Sequence, residues 1–175
     1  MRVPVNGIPT AGRVVEFGLH TPWALEAATV ALDGVPDALS GTLTLTPASD
    51  RGLVEVRGVA ASSRHAQCDR CGEPCEHGVH TEIALLYAPE AREDDTFDGG
   101  ELELSADDMD LGWYAGGALD LASVLGEALA LELPSRIGCA DEEECDSRTA
   151  ALLSSAGSAG EPGHPGLAAL RDKFA

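Results

Sequence analysis

Thiol and imidazole side chains are concentrated in the stretch "HAQCDRCGEPCEHGVH" between His65 and His80. Cys68 and Cys71 are separated by two residues and followed by Gly72, a spacing that lets both sulfur atoms face one metal ion while glycine supplies the tight turn. The C-x-x-C spacing also occurs in redox proteins, where a helix that starts at the motif activates one thiol. Here a glycine, a proline and a strand-like run follow, so the sequence favours metal binding.

A tetrahedral zinc site needs four ligands, and the knuckle supplies two. Cys139 and Cys145, in "GCADEEEC", are the predicted second pair, because they follow a predicted helix that should pack on the sheet and can fold back over the knuckle. Cys75 and His77 remain alternatives, although Cys75 is also typical of a small buried thiol. Four cysteine ligands leave no open position, so the predicted zinc is structural rather than catalytic.

The net charge of the chain indicates which kinds of molecule it can bind. Its 175 residues include 30 acidic and 11 basic side chains, which gives a formal net charge of -19. Such a field repels phosphate backbones and favours basic partners. Arg57, Arg64 and Arg70 nevertheless lie on or beside one predicted strand, where a local basic strip beside the knuckle could contact RNA.

Enzymatic and membrane signals are missing from the sequence. We find no P-loop, dinucleotide-binding glycine motif, zinc-protease motif or nucleophile elbow, and the acidic runs "DDMD" and "DEEE" are typical of solvated surfaces, although they could also bind Mg²⁺. The start of the chain lacks the apolar core of a signal peptide, and no apolar run approaches the roughly 20 residues of a membrane span. We therefore predict a non-enzymatic cytoplasmic protein with no membrane contact.

Alternating apolar and polar residues predict a β-rich first half. Predicted strands cover Arg13–Leu19, Ala28–Asp33, Ser40–Pro47, the Leu53–Ser63 region and His77–Pro89, and a second hairpin is predicted between roughly Val59–Gln67 and His77–Ala88. The turn signal "ASDRG" predicts a hairpin between two of them, and the knuckle would form the tip of that second hairpin. The expected fold is α+β, with antiparallel hairpins that could close into a barrel-like sheet.

Helical spacing of leucine, valine and alanine predicts one main amphipathic helix over Leu119–Pro134, with Asp120 as its N-cap and Pro134 as its stop. We expect a single α+β domain over residues 1–153, with an acidic loop over 90–110 that encloses a short strand at Glu101–Leu104. A flexible Gly/Ser-rich linker should follow over 154–163, and a helical tail over 164–175.

The order of these features resembles the YceD family, also called DUF177, of bacteria and plastids. The resemblance rests on "CDRCGEPCEHGVH", "LDLASVLGEALALELP" and the closing "HPGLAALRDKF". It implies a role in the synthesis, processing or stability of 23S ribosomal RNA and so in large-subunit assembly. Together with the charge, it suggests that the partner is a basic ribosomal protein or a pre-large-subunit particle. Direct contact with the RNA through the three arginines is the alternative.

Overall fold

The computed structural model describes residues 1–48, 52–90 and 111–157 of the chain. The strands are β1 (Arg2–Pro4), β2 (Arg13–Gly18), β3 (Ala38–Pro47), β4 (Val54–Gln67), β5 (Pro74–Pro89), β6 (Leu111–Tyr114) and β7 (Ala118–Asp120). The helices are α1 (Pro22–Ala31), α2 (Leu121–Leu131) and α3 (Glu142–Gly157), and a short 3-10 turn covers Val5–Gly7. The α+β fold class is confirmed.

Five strands form one sheet in the order β2-β3-β4-β5-β6, and β1 pairs with β7 in a separate two-stranded sheet. The pairs β2–β3 and β3–β4 are antiparallel, and Pro47 faces Val54 across the turn, as the hairpin prediction requires. The sequence predicts antiparallel hairpins, but β6 pairs with β5 in parallel. The sheet is open, with β2 and β6 at its edges, so the idea of a barrel-like closure is wrong.

Alternation along the strands decides which side chains enter the core. Leu43 and Leu45 are fully buried on β3, whereas the threonines between and beside them are half-buried. The same alternation holds on β5, where the face predicted from Val79 to Tyr87 contributes to the core. Side chains from the sheet and from both α1 and α2 meet in one apolar cluster.

The main amphipathic helix is confirmed as α2. The Asp120 side chain accepts a hydrogen bond from the Ala122 backbone N–H at 3.0 Å, which satisfies one of the free donors of the first turn. The buried residues of α2 recur at helical spacing, and Leu121, Leu125 and Leu129 are almost wholly enclosed. This face is what holds α2 to the apolar core.

The strand predicted over Ala28–Asp33 is wrong, because those residues lie largely in α1. The short run "ATVALD" suits a strand, but Pro22 at the first helical position starts a helix that continues through the run. Ala24, Ala28 and Leu32 recur every four residues and are buried, so tertiary packing overrides the local β preference of threonine and valine. A second helix therefore packs beside α2.

The chain divides into two compact units. The first consists of residues 1–66 and 76–135, and the second of residues 67–75 and the chain from Arg136 onward. α3 was not predicted, and it continues to Gly157, so it is helical through the first part of the predicted linker. The domain and linker boundaries stay predictions. The strand at Glu101–Leu104, most of the acidic loop and the C-terminal helical tail lie outside the described residues.

The packing of α2 makes a direct prediction about stability. Replacing the buried Leu125 with alanine should lower the free energy of unfolding by about 2–5 kcal/mol, because it removes apolar contacts and leaves a cavity. The matched control is Leu131→Ala on the same helix, since Leu131 is 85% exposed and its loss should cost under about 0.5 kcal/mol. Urea unfolding followed by circular dichroism measures both. Equal losses for the two variants would contradict this packing.

Candidate metal centre

The first two sulfur atoms are held by a tight turn between β4 and β5. The Cys68 carbonyl accepts a hydrogen bond from the Gly72 N–H at 2.8 Å, and the Cys68 N–H donates to the Glu73 carbonyl at 2.8 Å. Gly72 has a φ of 76°, which favours glycine, and a Cβ there would meet nothing within 4 Å. The glycine is therefore needed for its backbone conformation and not for space.

The second pair of cysteines belongs to the segment that follows Ser135. Asp69 binds this segment twice: its N–H donates to the Ile137 carbonyl at 2.8 Å, and its carboxylate accepts from the Ile137 N–H at 2.6 Å. Cys139 lies two residues further along the chain. The reciprocal pair of hydrogen bonds thus fixes the approach of Cys139 to the knuckle.

Cys145 is positioned by the start of α3. The Asp141 carboxylate accepts a hydrogen bond from the Glu144 N–H at 2.9 Å, and the Asp141 carbonyl accepts from the Cys145 N–H at 3.2 Å. Cys145 therefore sits in the first turn of α3, directly after three glutamates. The spacing of Asp141 and Glu144 matches a capping box and is the sequence signal that could have predicted α3.

The four predicted sulfur atoms converge. The Sγ atoms of Cys68, Cys71, Cys139 and Cys145 all lie within 4.8 Å of one another. The Cys68–Cys145 sulfur distance is 3.7 Å, and the Cys71–Cys139 sulfur distance is 3.5 Å. Tetrahedral zinc with Zn–S bonds of about 2.3 Å implies sulfur separations of about 3.8 Å. A disulfide needs about 2.05 Å, and all five cysteines of the chain are free thiols.

These sulfur atoms also form the only buried apolar cluster among the described residues of the second unit. Cys68, Cys71 and Cys145 are buried there, and Cys75 and Cys139 pack against them half-buried. The leucines of α3 do not add to it, since Leu152 and Leu153 are 53% and 68% exposed. A cluster of thiols offers far less apolar surface than a leucine core, so its hydrophobic contribution to stability is small.

Cys68, Cys139 and Cys145 differ in the direction in which their pKa values are shifted. The backbone N–H groups of Cys71 and Arg70 face the Cys68 sulfur and lower the pKa of that thiol to about 6. The hydrogen bond with the Cys71 sulfur raises the pKa of Cys139 to about 12, and burial raises the pKa of Cys145. One thiolate is thus favoured, and further negative charge beside it is opposed unless a cation is present.

Charged and polar side chains surround the cluster on the second unit. Arg148 donates from Nη2 to the Cys139 sulfur at 3.4 Å and from Nη1 to the Glu144 carboxylate at 3.0 Å. Arg70 forms an ion pair with Asp146, and the Thr149 hydroxyl donates to the Cys145 carbonyl at 2.8 Å. Arg148 was not predicted, because nothing in the spacing of the motif indicates which cation will reach a ligand sulfur.

The alternative ligands are not members of this group. Burial raises the pKa of Cys75, which packs beside the four sulfur atoms without joining them, as a small buried thiol does. His77 lies on β5 in the first unit, with a buried Nε2 that has no hydrogen-bond partner among the described residues. The ring of His65 pairs with the Asp37 carboxylate at 2.9 Å instead.

The structure does not gather the three arginines into one strip. Arg57 and Arg64 are seven positions apart on β4, and an odd separation places their side chains on opposite faces of the sheet. Arg57 also pairs with Glu55 on its own strand, at 2.6 Å. Arg70 belongs to the second unit and is paired with Asp146. Their proposed contact with RNA stays a prediction.

Comparisons with known proteins identify the family. Across residues 1–48, 52–90 and 111–157, none of the helices is long and apolar enough to cross a bilayer. Neither the search of curated proteins nor the search of solved structures found a match. A family model described as "Large ribosomal RNA subunit accumulation protein YceD" matches residues 56–172, which is more than half of the chain. The chain therefore belongs to the YceD family, and this membership implies a role in the accumulation of large-subunit ribosomal RNA.

Proposed function

We propose that Cys68, Cys71, Cys139 and Cys145 bind one structural zinc ion. The observation that carries this proposal is the convergence of four sulfur atoms at spacings close to those of tetrahedral zinc. An all-thiolate donor set suits a soft or borderline ion such as zinc and does not suit Mg²⁺ or Ca²⁺. The poor apolar core of the second unit adds support, because a bound metal supplies the folding energy that burial does not.

The donor set also argues for a structural role. Four protein ligands saturate a tetrahedral ion, so no position is left at which the metal could activate water or polarise a substrate. A zinc ion with four thiolates carries a net charge of −2, and the Arg148 guanidinium at the Cys139 sulfur offsets part of it. We accordingly propose a protein that acts in the cytoplasm by binding and not by catalysis.

The charge of the chain supports a basic partner. The formal net charge is -19, and Arg57 and Arg70 are paired with the carboxylates of Glu55 and Asp146. A surface of this sign attracts cationic proteins and repels phosphate. We propose that the chain binds a basic ribosomal protein, free or on a pre-large-subunit particle, and so supports 23S rRNA accumulation. Direct rRNA contact gains no specific support, because the side chains of Arg57 and Arg64 lie on opposite faces of the sheet.

Metal content should follow the four predicted ligands. Protein purified without chelator should contain one zinc ion per chain, and Cys68→Ser and Cys145→Ser should each lose most of it, because three thiolates bind zinc far less tightly than four. The matched control is Cys75→Ser, which should keep its zinc, since Cys75 lies outside the ligand group. Elemental analysis measures all four samples. Zinc that survives in Cys145→Ser but disappears in Cys75→Ser would contradict the assignment.

Zinc binding should release protons. Cys139 and Cys145 have raised pKa values and are protonated thiols at pH 7, so both must lose a proton to become ligands. Cys68, with a pKa of about 6, is already largely ionised there. We expect release of about two protons or more per ion at pH 7, and an affinity that rises with pH. Calorimetry in buffers of different ionisation enthalpy measures the number. Binding without proton release would show that the thiols are not the ligands.

A basic large-subunit protein or particle should co-purify with the tagged full-length chain. We expect capture from native lysate at about 0.1 M salt and release at about 1 M, because the Debye length falls from about 10 to about 3 Å. Ribonuclease treatment separates the two modes of binding: a protein partner stays bound, whereas an RNA-mediated complex is lost.

Two outcomes would count against a basic protein partner. If no ribosomal protein or precursor particle is captured at low salt, the proposal fails. A second outcome would replace the protein partner with direct rRNA recognition. In that case capture from lysate depends on RNA, and the purified chain binds 23S fragments. Replacing Arg57, Arg64 and Arg70 together with alanine then abolishes this binding. The control is Arg148→Ala. If RNA binding is lost in the triple variant but kept in Arg148→Ala, the RNA contact lies at the three arginines.

A further inference from the structure

The two helices of the first unit leave a groove between them. It encloses about 640 Å³, and its lining residues recur along α1 from Trp23 to Ala31 and along α2 from Ala122 to Ala130. Eight residue steps on each helix correspond to about 12 Å, which is the length of about two turns of a third helix. The floor is made of small and apolar side chains, among them Ala27, Ala31, Gly126 and Ala130.

The apolar lining is open to solvent. Val30, which lines the groove, is 78% exposed. The Trp23 ring packs on Phe17 with a centroid separation of 5.6 Å and presents its remaining surface to the groove. Small residues on two packed helices, with an indole at one end, form a surface that a larger apolar side chain can enter.

The rims of the groove are acidic. Glu26 of α1 and Glu127 of α2 are the two ionisable side chains among its eleven described lining residues, both are exposed, and neither forms an ion pair with a described residue. Met1 also lines the groove, and its amino group is already paired with Asp120 at 3.3 Å. An apolar floor between two free carboxylates complements a segment with apolar residues on one side and cations on its flanks.

Charge also selects among possible occupants. A second copy of this chain would bring another net charge of -19 to an already acidic groove, so self-association there is disfavoured. A basic partner gains attraction at the two glutamates and burial of its apolar side chains on the alanine floor. We propose that the α1–α2 groove binds a basic amphipathic helical segment of the protein partner; this inference rests on the proposed function and assigns it a surface.

The test compares exposed valines inside and outside the groove. Val30→Arg places a cation in the groove and should weaken binding of a basic amphipathic peptide of about four turns, with leucines on one face, by about tenfold or more. Val14→Arg and Val35→Arg are the matched controls, because these valines are 63% and 70% exposed and do not line the groove. Fluorescence anisotropy of the labelled peptide against full-length zinc-loaded protein measures each affinity.

Further variants and peptides show how much of the binding depends on charge and how much on apolar contact. Glu26→Gln with Glu127→Gln should weaken the same peptide several-fold, whereas Glu16→Gln with Glu90→Gln, outside the groove, should not. A peptide with serine in place of leucine, and one with glutamate in place of its cations, should both lose binding. If Val14→Arg weakens binding as much as Val30→Arg, or if the serine peptide binds as well as the leucine peptide, the attraction is a general charge effect and the groove assignment fails.

The native partner distinguishes failure of the groove from failure of the proposed function. If the unaltered chain and Val30→Arg capture the same ribosomal protein equally from lysate, the proposed function stands and the groove is wrong. If the unaltered chain captures none, the proposed function itself fails. If Leu167→Ser with Leu170→Ser in the full-length chain tightens peptide binding, the groove belongs to the C-terminal tail, and the assignment to an external partner is overturned.

Discussion

Four thiols held within reach of a single ion are the constraint on which the second unit of this protein depends. Backbone N–H groups already favour a thiolate at Cys68, while burial and neighbouring sulfur keep protons on Cys139 and Cys145. Without a cation, the thiols of the cluster resist further ionisation. A bound cation would link Cys71 to Cys139, which are 68 residues apart in the chain. No leucine or valine of this unit's described residues is buried to replace it. The zinc ion proposed above would supply the order that apolar burial does not supply there.

Contacts that do not involve sulfur position the cysteines of the cluster. Asp69 and Ile137 exchange two hydrogen bonds, Asp141 caps α3, and Arg70 pairs with Asp146, so each ligand is held by contacts that do not involve sulfur. Arg148 then places positive charge against Cys139. Such outer contacts orient the ligands and lower the cost of gathering negative charge. All four sulfur atoms of the cluster face one another, which is the arrangement that the proposed structural zinc centre requires.

The first unit has the opposite character, since a leucine-rich core supports it without any metal. Its sheet and two helices form one continuous apolar cluster, and the same helices leave an open groove with carboxylates on both rims. Alanine and glycine of α1 and α2 line that groove. The chain belongs to a family linked to ribosomal RNA accumulation, and its strong negative charge is compatible with the basic partner proposed above.

Sequence alone determined the features that depend on local periodicity and on residue chemistry. Alternation on β3 and β5, the period of α2 with its Asp120 cap, and the identity of the four clustered cysteines all follow from spacing that a reader can count. Tertiary structure decided the rest. α1 forms where a short Thr-Val run suggests a strand, because three buried positions four residues apart outweigh local preference. The parallel pairing of β6, the contact of Arg148 with sulfur and the opposite facing of Arg57 and Arg64 depend on which distant segments meet and in what register. Register across long loops is set by the sum of core contacts, and no single stretch of sequence encodes it.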